Sequence, residues 1–171
     1  MAAKPTALLV IDVQRGLFAR RTPIFGADRL LGTINLLVAR AHRAEIPVIY
    51  VRHASKAVLP KGTQAWQLHS QLKPLKKDIL LDKTHPSAFE GTHLASRLER
   101  GKITRLIVTG LVTHGCVRAT TLDALKRGYE VVLIEDGHSN FHKQAARLIR
   151  DWNVKLAAAG AKVRLARAVR L

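Results

Sequence analysis

The chain holds one cysteine, Cys116, in the run Val108-Thr109-Gly110-Leu111-Val112-Thr113-His114-Gly115-Cys116-Val117-Arg118, where an apolar strand pattern gives way to a turn and then to a helix pattern. A thiol at a strand-to-helix junction lies near the partial positive charge of a helix N-terminus, which favours thiolate over thiol and so favours nucleophilic chemistry. The competing assignment is a buried structural cysteine, because a free thiol packs as a small apolar group. Two more reactive side chains stand where apolar runs end: Asp12 closes residues 6–12 and Lys83 follows residues 78–82. Alone, such an aspartate is a turn or cap residue and such a lysine is solvated. Ligands of open parallel sheets, however, bind beyond the carboxyl ends of the strands, and all three residues fall at such ends.

The elements that must position them follow from periodicity. Short apolar runs rich in β-branched residues at 6–12, 47–52, 78–82, 103–109 and 129–135 read as strands buried on both faces, and 162–166 as a short last one. Leu30, Leu31, Ile34, Leu37, Val38 and Ala41 repeat at helical spacing, with Asp28 as the expected cap. Residues 92–100 closed by Gly101, 116–127 closed by Gly128, and about 140–159 give three more helices. This alternation predicts one α/β domain over residues 1–171, with three α/β/α layers around a mostly parallel sheet of about six strands. Residues 53–77 hold Pro60, Gly62, Trp66 and Pro74 and have weak periodicity. They form the one long irregular connection, which is expected to shape a pocket, with Trp66 either covering it or pinning the loop to the body.

The formal charge is +17, from 29 Lys and Arg against 12 Asp and Glu, enough to steer an anionic substrate. The basic residues are scattered without interleaved aromatics, and no nucleic-acid-binding motif occurs, so specific nucleic-acid binding is not expected. A single cysteine allows no internal disulfide. The start, Met1-Ala2-Ala3-Lys4-Pro5, carries no apolar stretch long enough for a signal peptide or membrane span, so a cytoplasmic protein without membrane contact is expected.

Three motifs taken together carry a resemblance. Asp12-Val13-Gln14 with Phe18, Lys83-Thr84-His85-Pro86-Ser87-Ala88-Phe89, and Gly110 to Val117 followed by Thr121-Leu122-Asp123-Ala124 resemble the isochorismatase-like cysteine hydrolases. The resemblance runs through Glu135-Asp136-Gly137 to Trp152-Asn153 and implies a catalytic triad of Asp12, Lys83 and Cys116. In that triad the carboxylate takes the thiol proton, the ammonium stabilises the ion pair and the sulfur attacks a small amide, ureide or carbamoyl compound through a thioester. It further implies a cis peptide at Leu111-Val112, an oxyanion hole from the N–H groups of Val112 and Cys116, and a homodimer or higher oligomer. Gln14, Phe18, Ser87 and Phe89 would line or back the site, and His53, Trp66 and His114 complete the expected pocket.

The motifs also depart from branches of that family. Nicotinamidases carry an Asp-x-His pair for a metal, whereas this chain reads Val51-Arg52-His53-Ala54, so neither metal nor other cofactor is expected. Isochorismatases that cleave a vinyl ether lack the cysteine, and Cys116 therefore favours the amidase-like branch. His114, His138 and His142 offer an alternative Cys-His pair, and Asp123, two helical turns beyond Cys116, is expected to anchor its helix. Two further readings stay open: a vinyl ether hydrolase, and a non-enzymatic protein using its basic surface or oxidisable thiol.

Overall fold

The computed structural model describes residues 4–171; Met1 to Ala3, where the chain start was read, lie outside the described residues. Six strands form one parallel sheet: β1 (Thr6–Ile11), β2 (Val48–His53), β3 (Ile79–Lys83), β4 (Arg105–Leu111), β5 (Glu130–Ser139) and β6 (Lys162–Arg164). Their order across the sheet is β3-β2-β1-β4-β5-β6. The chain moves outward from β1 to β3, then crosses back to β4 and proceeds the other way. Right-handed crossovers running in opposite directions put their helices on opposite faces.

The helices obey that rule: α1 is one turn (Arg15–Phe18), followed by α2 (Ala27–Arg43), α3 (Leu94–Arg100), α4 (Arg118–Lys126) and α5 (Ala145–Ala158). Leu8 and Val10 of β1 pack on the apolar stripe of α2, Leu30, Leu31, Ile34, Leu37 and Val38. The alternate residues Ala7, Leu9 and Ile11 pack against Leu94 and Leu98 of α3, Ala124 of α4 and Leu156 of α5. Every residue of β1 is buried, as a central parallel strand must be. Each such Leu or Ile contributes roughly 1.5–3 kcal/mol, so the middle of the sheet is the most strongly held part of the frame.

Three local expectations are corrected. Asp28 does not cap α2; Gly26 holds the N-cap with φ +59, and Asp28 lies in the first turn. The helix expected from Cys116 begins at Arg118, because residues Thr113–Val117 form a wider π-turn kinked at Gly115. The last helix starts at Ala145, since the Asn140 side chain is bonded to Thr113 and to the His142 N–H. Gly128 closes α4 with φ +85 and Gly101 closes α3 as its C-cap, as expected, with the left-handed conformation falling one residue later on Lys102 (φ +52).

The long connection after β2 is laid antiparallel to the segment after β1. Arg15 N–H donates to Gln67 O at 2.9 Å, Gly16 N–H to Ala65 O at 2.8 Å, and His69 N–H to Val13 O at 2.8 Å. No helix among the described residues is long and apolar enough to cross a membrane.

Candidate active site

Asp12, Lys83 and Cys116 converge at the carboxyl end of the sheet, where β1 and β4 lie side by side and the strand order reverses. Asp12 directly follows β1 in the left-handed conformation (φ +52), which an aspartate tolerates better than most side chains. Gly110 makes the approach of β4 feasible: with φ +120, a Cβ there would stand 2.1 Å from Ile11 O. The Leu111–Val112 peptide is cis, and the chain then enters the π-turn that carries Cys116.

The Lys83 side chain is fully buried and its Nζ stands among four acceptors. These are Asp12 Oδ2 at 3.0 Å, His53 Nδ1 at 3.0 Å, His85 O at 3.1 Å and Cys116 Sγ at 3.2 Å. An ammonium has no lone pair to offer, so His53 Nδ1 accepts and the hydrogen of neutral His53 sits on Nε2. Burial and the Lys83 charge lower the His53 pKa, in keeping with that form.

Burial raises the Asp12 pKa, opposed chiefly by the Lys83 charge. Cys116 is partly exposed, yet burial, followed by the Asp12 carboxylate, pushes its thiol up to about 12, with Lys83 pulling the other way. The standing thiolate expected from the helix-terminus argument is thus corrected. The sulfur sits inside a π-turn beside a carboxylate, and that negative neighbour outweighs a partial helix charge. Asp12 Oδ1 is buried without a hydrogen-bond partner, leaving a free acceptor on the carboxylate.

A carboxylate oxygen of Asp12, a ring nitrogen of His53 and the Cys116 sulfur lie within 4.8 Å of one another, as metal ligands could. The Lys83 ammonium already touches all three residues, so a divalent ion held by them would sit beside a buried positive charge. The donor set does not fit a metal.

Gln14, placed by sequence at the pocket wall, is fully buried and faces backbone instead. Its Nε2 donates to His53 O at 2.9 Å and Trp66 O at 2.7 Å, and its Oε1 accepts the His53 N–H at 2.8 Å. It clips the end of β2 to the long connection. Trp66 is likewise tied down: its ring lies under the Arg52 guanidinium at 3.8 Å, and Arg52 pairs with Asp82 at 2.8 Å. Of its two expected outcomes the pinning one is observed. Phe18 is half-buried with its ring 4.4 Å from that of His69. His114 stays half-buried next to the exposed His142, ring centroids 6.5 Å apart, and its Nδ1 has no partner. Neither histidine is bonded to Cys116.

Behind the site, Ser87 donates to Asp123 Oδ2 at 2.6 Å and Phe89 stacks on Tyr129, fastening α4 to the segment after Lys83. Sequence reasoning missed Thr113 and treated His138 only as a spare partner for the thiol. The two are bonded to one another at 2.9 Å and both are buried. It also missed His85, whose contribution is a backbone oxygen that no side-chain pattern reveals.

A family model described as the isochorismatase domain matches residues 6–163. The chain belongs to the isochorismatase family. A streptothricin hydrolase of Streptomyces noursei is 34% identical over 147 residues, covering 85% of this chain and 58% of its own length. The chain therefore spans little more than half of that relative. A ureidoacrylate amidohydrolase of Variovorax paradoxus is 26% identical, with 90% of this chain and 76% of its own covered. Among solved structures, an isochorismatase from Pseudomonas putida superposes with a TM-score of 0.90 at 26% identity, covering 98% of this chain and 92% of its own. The six parallel strands and their flanking helices are thus the isochorismatase-family fold.

Proposed function

We propose that this isochorismatase-family chain is a cysteine hydrolase cleaving the C–N bond of a small amide, ureide or carbamoyl compound. The observation that carries the reading is the single Lys83 nitrogen held 3.0 Å from Asp12 and 3.2 Å from the sulfur of the one cysteine in the sequence. Three segments remote in sequence bring a carboxylate and a thiol to one ammonium nitrogen. Such an arrangement suits acyl transfer and has no evident structural purpose, since it buries charges at a cost. The relatives whose printed names include a hydrolase and an amidohydrolase support the same class.

Burial and the neighbouring Asp12 carboxylate favour the protonated thiol. Its proton passes to the Asp12 carboxylate as the S–C bond forms, and the carbonyl π pair becomes an oxyanion. The Val112 N–H donates to no protein acceptor among the described residues and, with the Cys116 N–H, is assigned to that oxyanion. As the C–N bond breaks, Asp12 returns its proton to the leaving nitrogen and a thioester remains. Water then loses a proton to Asp12 and attacks the thioester; the sulfur departs and recovers that proton. Lys83 offsets the negative charge shared by Asp12 and the sulfur throughout.

Intact-protein mass spectrometry during incubation with a mixed amide and ureide panel tests the reading, alongside an assay of released ammonia. An acyl adduct confined to Cys116, with release abolished in Cys116→Ala, is the expected result. Ammonia release that survives Cys116→Ala would reject the covalent route.

A further inference from the structure

The π-turn is held from behind by a chain of buried hydrogen bonds whose direction is fixed at one end. The backbone N–H of His142, which can only donate, bonds to Asn140 Oδ1 at 2.9 Å. The Asn140 amide is thereby oriented with Nδ2 toward Thr113 Oγ1, at 3.3 Å. Thr113 Oγ1 thus receives a hydrogen, and its own hydroxyl hydrogen has one remaining neighbour, His138 Nδ1 at 2.9 Å. His138 Nδ1 must accept, so its ring hydrogen lies on Nε2, which faces Asn153 Oδ1 of α5 at 2.9 Å. Thr113 and Asn140 are fully buried and His138 nearly so, and burial lowers the His138 pKa, keeping the ring neutral.

Every member has a partner along this path, and its two ends lie on rigid elements. Asn153 belongs to α5, while Asn140 follows β5, whose last residues pair with β4 as Gly110 with His138 and Leu111 with Ser139. Thr113 lies between: it directly follows Val112, opens the π-turn and stands three residues before Cys116. The turn has backbone bonds of its own, Gly115 N–H to Val112 O at 2.9 Å and Val117 N–H to Val112 O at 3.4 Å, and the Thr113 hydroxyl adds the tie that links it to His138 and, through it, to α5.

We propose that His138 is a positioning residue for catalysis, accepting the Thr113 hydroxyl and so fixing the Val112–Cys116 turn whose N–H groups receive the oxyanion. This rests on the cysteine-hydrolase reading but adds a residue outside the Asp12, Lys83 and Cys116 cluster. His138 touches no reacting atom. Its effect reaches the substrate through Thr113, and a donor misplaced by about 1 Å can lower a rate by about 100-fold.

Two substitutions separate this role from simple packing. In His138→Asn the side-chain oxygen falls where Nδ1 was and still accepts from Thr113, whereas in His138→Gln the amide nitrogen falls where Nε2 was and keeps only the Asn153 bond. The expected order is kcat within about 3-fold of the parent for His138→Asn and at least 10-fold lower for His138→Gln, with similar KM in both. Cys116 alkylation by iodoacetamide, which needs no oxyanion donor, should change by less than about 2-fold in either. Should both His138 variants fail to fold, Thr113→Ser against Thr113→Val asks the same question, with activity retained in the first and lost in the second. Nitrogen-15 spectra of labelled parent protein should show His138 protonated at Nε2 and bare at Nδ1. Equal kcat losses in the Asn and Gln variants, or a hydrogen on Nδ1, would overturn the proposal. Full turnover in Cys116→Ala would instead overturn the hydrolase reading on which it rests, so the two failures are distinct.

Discussion

Lys83 Nζ and Asp12 Oδ2 meet at 3.0 Å across 71 residues of sequence, both side chains almost wholly buried, and the same nitrogen reaches the Cys116 sulfur at 3.2 Å. A buried ion pair beside a neutral thiol sets opposite effects for its two members. The carboxylate holds the sulfur's proton on, and the ammonium favours its loss.

Asp12→Asn should therefore make the thiol easier to ionise while abolishing its base. Iodoacetamide labelling of Cys116 at pH 8 should become faster, and ammonia release should fall by at least about 100-fold. Lys83→Met should act the other way on labelling, slowing it, and should also lose turnover. Parallel measurement of labelling and turnover in the two variants checks the pair. Labelling slowed equally by both would show that Asp12 does not hold the thiol proton.

That Asp12, Lys83 and Cys116 share one sheet edge was legible because Asp12 and Lys83 end runs that read as buried strands, Cys116 follows a third, and strand ends of a parallel sheet converge, whereas their roles as a triad came only from the family resemblance. Lys83, read as following its strand, closes β3 and reaches Asp12 across β2. The Cys116 environment was less legible, because a π-turn and the first turn of an α-helix share one sequence pattern. A single extra backbone position separates a sulfur at a helix terminus from one facing a carboxylate. Gln14 was misplaced for a related reason: a polar residue beside a reactive aspartate looks like a substrate contact, and only the fold reveals the three backbone groups around it. His138 lies beyond the expected end of β5 at Glu135. The strand continues to Ser139 through a register shift against β4, which interrupts the alternation from which strands are read.

Mild acid should weaken the fold through its histidines. His53, His69, His114 and His138 all have pKa values lowered by burial in the folded chain. The unfolded chain therefore binds protons first as pH drops below about 6.5, and stability present above that value is lost as pH falls through the folded values. For buried His138 alone the limiting slope is about 1.4 kcal/mol per pH unit. Urea midpoints measured from pH 7.5 to 5 should decline, and His138→Gln should flatten the decline. A midpoint independent of pH over that range would contradict the neutral state of these rings.

Gly110→Ala should prevent folding or leave only aggregated protein. A methyl group there meets Ile11 O at 2.1 Å, inside the central β1–β4 pairing, and an alanine resists φ +120 even without that clash. Soluble expression and circular dichroism provide the check. A folded, active Gly110→Ala protein would mean that β1 and β4 can separate at the point where Asp12 and the turn that carries Cys116 leave the sheet.

Gln14→Leu tests whether the amide holds the site or merely fills space. Leucine is close in volume and should pack, but His53 O, Trp66 O and the His53 N–H would all lose their partner. An unsatisfied buried polar group costs about 1–3 kcal/mol, so a loss of at least about 2 kcal/mol by urea denaturation is expected. The long connection would then detach from the end of β2, and amide hydrogen exchange should rise around Trp66 and His53 while the strands of β1 and β4 keep their protection. His53 would no longer be held against Lys83 Nζ, so kcat should fall along with stability even well below the unfolding midpoint. Unchanged exchange at Trp66 would show that the Arg52 and Asp82 contacts alone secure the connection.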